Sequence, residues 1–193
     1  MAYCTATEVI ERMGEATVGA ALLGRVTDAI EAATVAIDND TGRTFSPVTA
    51  TKIFGVGGYS LEVPDLISVT TLKLDDDDDG TFETTITASE YELDGFRQTA
   101  DGWPYDTLRM LDREFPHGGR RRRRIEIVGS WGFAAVPSPI NQACSLLAAQ
   151  LAQRATSALF GVQSFGDLGA QGIRTTDPQY MKLIGTYSKP GFA

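Results

Sequence analysis

The sequence predicts an α+β fold: helices from both chain ends form one core, and an antiparallel β section is inserted between them. Three observations carry this reading. Apolar residues recur at three- and four-residue steps up to about residue 40, alternate between about 51 and 130, and return to helical spacing after Pro139. Helix-ending and helix-starting residues stand at the changes, with Gly42 at the first and Ser138-Pro139 at the second. A chain of 193 residues, 42% of them apolar, is large enough for one such core with a sizeable insertion. The expected division is 1–50 with 131–193 as the helical core and 51–130 as the β section. Residues 161–176, with four glycines, are expected to be flexible or ordered by a partner.

The elements follow in order. Thr5 and Glu8 match a capping box, in which each side chain satisfies a backbone N–H at a helix start, so a helix should run from Ala6 to Met13 and stop at Gly14. Val18, Leu22, Val26, Ala29, Ile30, Ala33 and Ile37 place one apolar stripe on a second helix, from about Ala16 to Asp40. In the β section, Lys52–Val56 and Tyr59–Val63 flank Gly57-Gly58, which reads as a tight hairpin. Leu66–Leu74 reads as a further strand with Ile67, Val69, Thr71 and Lys73 on one face, pairing with Phe82–Thr87 across an acidic loop. Tyr91–Leu93, Leu108–Leu111 and Arg124–Val128 complete the sheet, with a loop at 95–106 that anchors an aromatic residue.

Gly129 and Gly132 are expected to break the last strand and hold Trp131 where sheet and core meet. With Pro137 and Pro139, Trp131 forms the joint back to the core. Ser138 reads as the cap and Pro139 as the first residue of a helix reaching about Phe160, ~33 Å long. Ile140, Ala143, Cys144, Leu147, Leu151, Ala155, Ala158 and Leu159 form its small-residue stripe, and Asp177-Pro178 starts a final helix with Tyr180 and Tyr187 seven residues apart on one face. Those tyrosines read either as core or as an anchoring surface for a partner.

Composition narrows the function. A net charge of −8 argues against a general nucleic-acid binder, without excluding a local basic patch. No apolar run approaches the ~20 residues of a membrane span, so no membrane partner is expected. The N-terminus has no basic region followed by an apolar stretch, so no secretory signal is expected. Cys4 and Cys144, the only cysteines, could pair in principle, but two free thiols in a reducing cytoplasm are expected. The single histidine, His117, lies beside Gly118-Gly119 without a nucleophile elbow and is expected in an exposed turn. No enzyme activity, metal or cofactor is expected.

Two charge blocks stand out. In the run Asp75, Asp76, Asp77, Asp78, Asp79 and Gly80, the residues Asp75, Asp77, Asp79 and Gly80 match the first half of a calcium-binding loop, but the twelfth position is Ile86 where a bidentate glutamate is needed. A solvated hairpin turn is expected instead, Asp-Gly being a favoured turn pair. Arg120, Arg121, Arg122, Arg123 and Arg124 form the opposite block. It reads as a solvated hairpin tip, a contact to the acidic loop of a neighbouring copy, or a contact to DNA phosphates.

Several segments, taken in order, resemble the head–tail connector (adaptor, or head-completion) proteins of tailed phages. They are Tyr3 with Thr7-Glu8-Val9, then Ala29 to Phe45 ending in Asp40-Thr41-Gly42-Arg43-Thr44-Phe45. Pro64–Leu72, the acidic turn and Glu90–Leu93 follow, and then Trp131-Gly132-Phe133 to Val136-Pro137, the helix with Ala143 and Leu147, and Asp177-Pro178 to Tyr187. The resemblance spans nearly the whole chain. It implies a helical-core structural protein that forms a ring, of about twelve copies, beneath the portal of the virion. That ring would join head to tail, extend the DNA channel and offer a platform to the next neck or tail protein. DNA would pass without sequence-specific binding, and assembly would occur in the host cytoplasm. The segment from Arg174 onward would reach the portal, with Tyr180 and Tyr187 as anchors. The alternatives are another neck or tail-completion protein, or a DNA-binding module acting through Arg120 to Arg124.

Overall fold

The computed structural model describes residues 2–15, 19–55, 58–95, 102–116, 119–154, 162–164, 170–172 and 177–189. The fold is α+β, and it divides into two compact units: Met1–Phe45 with Val136–Ala193, and Ser46–Ala135. Among the described residues, no helix is long and apolar enough to cross a membrane.

The first unit is built from helices α1 (Ala6–Met13), α2 (Ala20–Thr41), α3 (Ser138–Arg154) and α4 (Pro178–Gly185). The capping box of α1 is formed: the Glu8 N–H donates to Thr5 Oγ1 at 3.3 Å, and the Thr5 N–H donates to Glu8 Oε2 at 2.7 Å. Gly14 ends α1 in the left-handed conformation, with φ 73°. Helix α2 begins later than its apolar spacing suggests, after Gly19, and ends on left-handed Gly42. Its buried stripe is Val26, Ala29, Ile30, Ala33 and Ile37. In α3 the cap lies one residue earlier than expected, because the Pro137 carbonyl accepts the N–H groups of both Ile140 and Asn141 at 3.0 Å. The buried face of α3 is Ile140, Ala143, Cys144, Ser145, Ala148, Ala149 and Ala152, while Leu147 and Leu151 are only half-buried. Small side chains on that face let neighbouring backbones approach closely. Asp177 caps α4 by accepting the Gln179 N–H at 2.7 Å, and its other oxygen accepts from Gln150 of α3 at 2.7 Å. Within 161–176, β7 (Val162–Ser164) and β8 (Ala170–Gly172) pair antiparallel, and the other residues of that segment lie outside the described residues.

The second unit is a six-stranded antiparallel sheet of β1 (Val48–Phe54), β2 (Ser60–Leu74), β3 (Thr84–Ile86), β4 (Tyr91–Asp94), β5 (Tyr105–Met110) and β6 (Ile125–Trp131). Its order is β1-β6-β2-β5-β4, with β3 beside the end of β2. The expected Gly57-Gly58 hairpin does not form: β6 lies between β1 and β2 and pairs with both. Gly58 bridges Phe115 instead. Central placement suits β6, whose Ile125, Ile127, Gly129 and Trp131 are all buried. Nor does Gly129 break the strand. A Cβ there would lie 2.4 Å from the Ser68 carbonyl oxygen, so the glycine is what lets β2 and β6 approach. The strand ends at Trp131, and Gly132 follows it at φ 97°.

The two strands expected at 59–63 and 66–74 are one strand of 15 residues. Asp65 interrupts it at φ 43°, and its carbonyl accepts the Gly132 N–H. Pairing with β6 shifts between Leu66 and Ser68 and again between Val69 and Thr71. Each shift inserts a residue, so Leu66, Val69, Leu72 and Leu74 share the core face in place of the expected Ile67, Val69, Thr71 and Lys73. Among the described residues, no helix lies within this unit. The long bulged β2 pairs with β6 through one half and β5 through the other, and side chains of these strands meet in one core. Leu61, Leu72, Leu74, Leu108, Met110, Phe115, Ile125, Ile127 and Trp131 make the resulting core.

Candidate functional site

The two charge blocks meet within one chain, in the loops that follow β2 and precede β6. Asp75 is fully buried. Its Oδ1 accepts the Asp78 N–H at 2.7 Å and its Oδ2 the Gly80 N–H at 3.0 Å. Its own N–H donates to the Arg124 carbonyl at 3.0 Å, and its carbonyl accepts from Arg124 Nε at 2.8 Å. The Asp78 carboxylate accepts the N–H groups of Arg120 at 2.5 Å and Arg121 at 2.9 Å. Those two bonds hold its pKa below the ordinary 3.8. The Thr81 hydroxyl and N–H do the same for Asp79. Arg113 adds an ion pair to Asp76 at 2.8 Å.

This geometry alters the expected roles. Residues 120–124 precede β6 and are not strand, so they do not alternate between faces. Asp75 and Arg124 are buried inside the chain and cannot serve as contacts to another molecule. Arg120, Arg121, Arg122 and Arg123 are exposed, as are Asp76, Asp77 and Asp79, and these remain available. The acidic turn is built largely from its own carboxylates accepting its own N–H groups. Carboxylate oxygens of Asp75, Asp77, Asp79 and Glu83 lie within 4.8 Å of one another, a spacing that could hold a cation. Ile86 still stands where a calcium loop needs glutamate, and the flanks are β2 and β3. His117 lies outside the described residues.

In the helical unit, the segment Asp40 to Phe45 proves to be a hub. Asp40 accepts the Tyr180 hydroxyl at 2.7 Å, the Thr41 carbonyl accepts the Lys189 N–H at 3.0 Å, and Arg43 Nε donates to the Tyr187 carbonyl at 2.7 Å. Phe45 takes the rings of Tyr3 and Tyr187 edge-on, at 5.7 and 5.6 Å. The Tyr3 hydroxyl accepts the Phe45 N–H at 2.8 Å and donates to Asp38 through a short bond. Burial, reinforced by those carboxylates, raises the pKa of both Tyr3 and Tyr180. Tyr180 is 5% exposed and therefore core, whereas Tyr187 is half-buried. The two do not share a helical face, because α4 ends at Gly185. Tyr187 instead lines an open groove of about 450 Å³ with Pro139, Gln179, Lys182, Leu183 and Thr186. Sequence spacing did not reveal this groove. Arg174 lies outside the described residues.

At the expected joint, Trp131 is the last residue of β6 and 3% exposed. Its Nε1 donates to the Ala50 carbonyl at 2.8 Å, its ring lies 5.8 Å from Phe54, and Lys52 Nζ sits 4.2 Å from the ring centroid. Those partners belong to the sheet unit, so Trp131 is part of the sheet core. Trp103 packs edge-on against Phe133 at 5.5 Å, supplying the aromatic anchor expected in the 95–106 loop.

Comparison with solved structures gives likenesses over nearly the whole chain. A chain from the neck of the empty gene transfer agent (GTA) particle, computed with C6 symmetry, matches with a TM-score of 0.59 at 20% identity. The match covers 96% of this chain and 89% of that one. The chain has the fold of one in the GTA neck. A chain from the native GTA neck, computed with C12 symmetry, matches with a TM-score of 0.54 at 21% identity, covering 95% and 90%. A chain of the native GTA virion matches with 0.55 at 21%, covering 99% and 94%. No protein-family model and no curated protein matches the sequence. The resemblance to head–tail connectors read from the sequence agrees with this fold.

Proposed function

We propose that this chain is a structural protein of a tailed-phage or phage-like virion. Copies would form a ring beneath the portal that joins head to tail and extends the DNA channel. The observation that carries the reading is the shared fold, over 96% of the chain, with a chain from a neck assembly of rotational symmetry. The role needs no catalytic group and no cofactor. Its partners are further copies of itself, about twelve by analogy with the C12 neck, together with the portal and the next neck or tail protein. Ring contacts of this kind are heterologous, with one face of each copy meeting a different face of the next. Arg120–Arg123 suit such a contact to an acidic neighbouring surface, and it would weaken with salt. The groove beside Tyr187 suits a contact to the portal, the role that the resemblance gives to the segment from Arg174. A net charge of −8 favours DNA sliding past without retention.

Electron microscopy of the particle neck tests the proposal directly. A ring of this chain immediately beneath the portal is the expected result. Finding the chain on the capsid shell or at the tail tip overturns it. Exposure of Arg120–Arg123 also keeps a DNA-binding role open to test. Retardation of duplex DNA that is abolished by replacing those four arginines with alanine would favour that role instead.

A further inference from the structure

The N-terminal segment of the helical unit is fastened to α3 at two points. The Tyr3 carbonyl accepts from Asn141 Nδ2 at 3.0 Å. One turn further along α3, the sulfur of Cys144 lies 3.1 Å from that of Cys4. Both thiols are buried and unbonded, at 0% and 6% exposure. We propose that Cys4 and Cys144 are a redox-active pair that closes to an intramolecular disulfide when the folded protein meets a peroxide.

The sulfurs need to approach by about an ångström to reach the ~2.05 Å bond length. Cys4 lies outside any helix, just before the Thr5 cap of α1, so it can supply that movement while α3 stays fixed. The partners are unequal. The Cys4 S–H donates to Cys144, which lowers the Cys144 pKa and makes it the more acidic of the pair, while the same contact and burial raise that of Cys4. The chemistry balances as two steps. The Cys144 thiolate attacks one peroxide oxygen, the O–O bond breaks, and the departing hydroxide takes up the proton lost from Cys144. The sulfur of Cys4 then attacks the sulfenic sulfur, the S–O bond breaks, and hydroxide leaves as water with the Cys4 proton. Two thiols lose two electrons, and one peroxide becomes two waters. A reducing cytoplasm would keep the pair open during assembly. On the neck reading, on which only this timing rests, closure would follow release of the particle.

The test uses the purified full-length chain, exposed to hydrogen peroxide under native conditions. The expected product has lost both titratable thiols and about 2 Da, and carries a Cys4–Cys144 cross-linked peptide reversible by dithiothreitol. Loss of the helical circular dichroism signal on heating should move up by about 5–10 °C. Cys144→Ser should lose the cross-link, and an unchanged circular dichroism spectrum in that variant shows that the fold is not the cause. The proposal is overturned by oxygen added to a single thiol without a cross-link, or by disulfide-linked dimers. It is also overturned if both thiols survive a dose that oxidises the urea-unfolded chain. These outcomes are read on the isolated chain, so they stand apart from where the protein sits in a particle.

Discussion

The five consecutive aspartates are unequal, and replacing Asp75 and Asp77 separately with alanine tests that. Asp75 is fully buried and accepts two backbone N–H groups, from Asp78 at 2.7 Å and Gly80 at 3.0 Å. A hydrogen bond to a charged acceptor contributes about 1.5–3 kcal/mol. The N–H groups released in Asp75→Ala sit in a half-exposed loop and recover part of that from water. The expected loss is therefore about 2–4 kcal/mol. Asp77 is exposed and accepts one N–H, from Asp79 at 3.2 Å, so Asp77→Ala should stay within about 0.5 kcal/mol of the parent. Both tryptophans, Trp103 and Trp131, lie in the Ser46–Ala135 unit, so tryptophan fluorescence during urea unfolding reports on the unit that holds the loop. Asp75→Ala should lower the midpoint by about 1–2 M at unchanged slope. Asp75→Asn, which keeps one acceptor oxygen, should fall between. If the two alanine variants shifted the midpoint equally, the run would be a solvated charge block and the account of Asp75 would be wrong.

The same fluorescence assay applies to Gly129→Ala. A Cβ there would meet the Ser68 carbonyl oxygen at 2.4 Å, and β6 is bonded on both sides, so neither neighbour can yield cheaply. A loss of about 2 kcal/mol or more is expected, and one below about 0.5 kcal/mol would show that the sheet absorbs the methyl group. In the helical unit, the folded pKa values of Tyr3 and Tyr180 lie above the ordinary 10.0. The folded state therefore holds protons that the unfolded state has released, and its stability is full below pH 10 and lost as pH rises beyond it. An absorbance titration should show these two phenolates appearing together with loss of the helical circular dichroism signal. Ionisation of all six tyrosines near pH 10 with helices intact would refute it.

What the sequence showed well was whatever is decided within a few residues. Thr5 and Glu8 exchange hydrogen bonds across one turn, Gly42 ends α2 by its own conformation, and Asp177 caps α4, so each could be read from its neighbours alone. Strand order was hidden because it is settled elsewhere in the chain. Gly57-Gly58 is a good local turn signal, yet β6, arriving some 70 residues later, takes the place between β1 and β2. The face of β2 was misread for a related reason: two inserted residues leave the alternation of the letters intact while moving Thr71 and Lys73 away from the core. Tyr187 looked helical because its spacing from Tyr180 is helical, but the helix had already ended at Gly185. The Asp40 to Phe45 segment resembles the connector family in sequence, and its physical role depends on distant partners, Tyr3, Tyr180, Tyr187 and Lys189.

The meeting of the charge blocks bears on which partner the surface suits. Asp75–Asp79 and Glu83 supply six acids, and Arg113 with Arg120–Arg124 supplies six arginines, so this loop cluster adds nothing to the net charge of −8. The whole excess of negative charge is carried by the rest of the chain. A phosphate approaching Arg120–Arg123 also meets the carboxylates of Asp76, Asp77 and Asp79 in the same loops, which weakens the attraction that an isolated arginine block would exert. A protein surface can match such a mixed pattern of charge, acid to base and base to acid, whereas a uniform polyanion cannot. That difference favours another copy of the chain over DNA as the partner of the arginine loop.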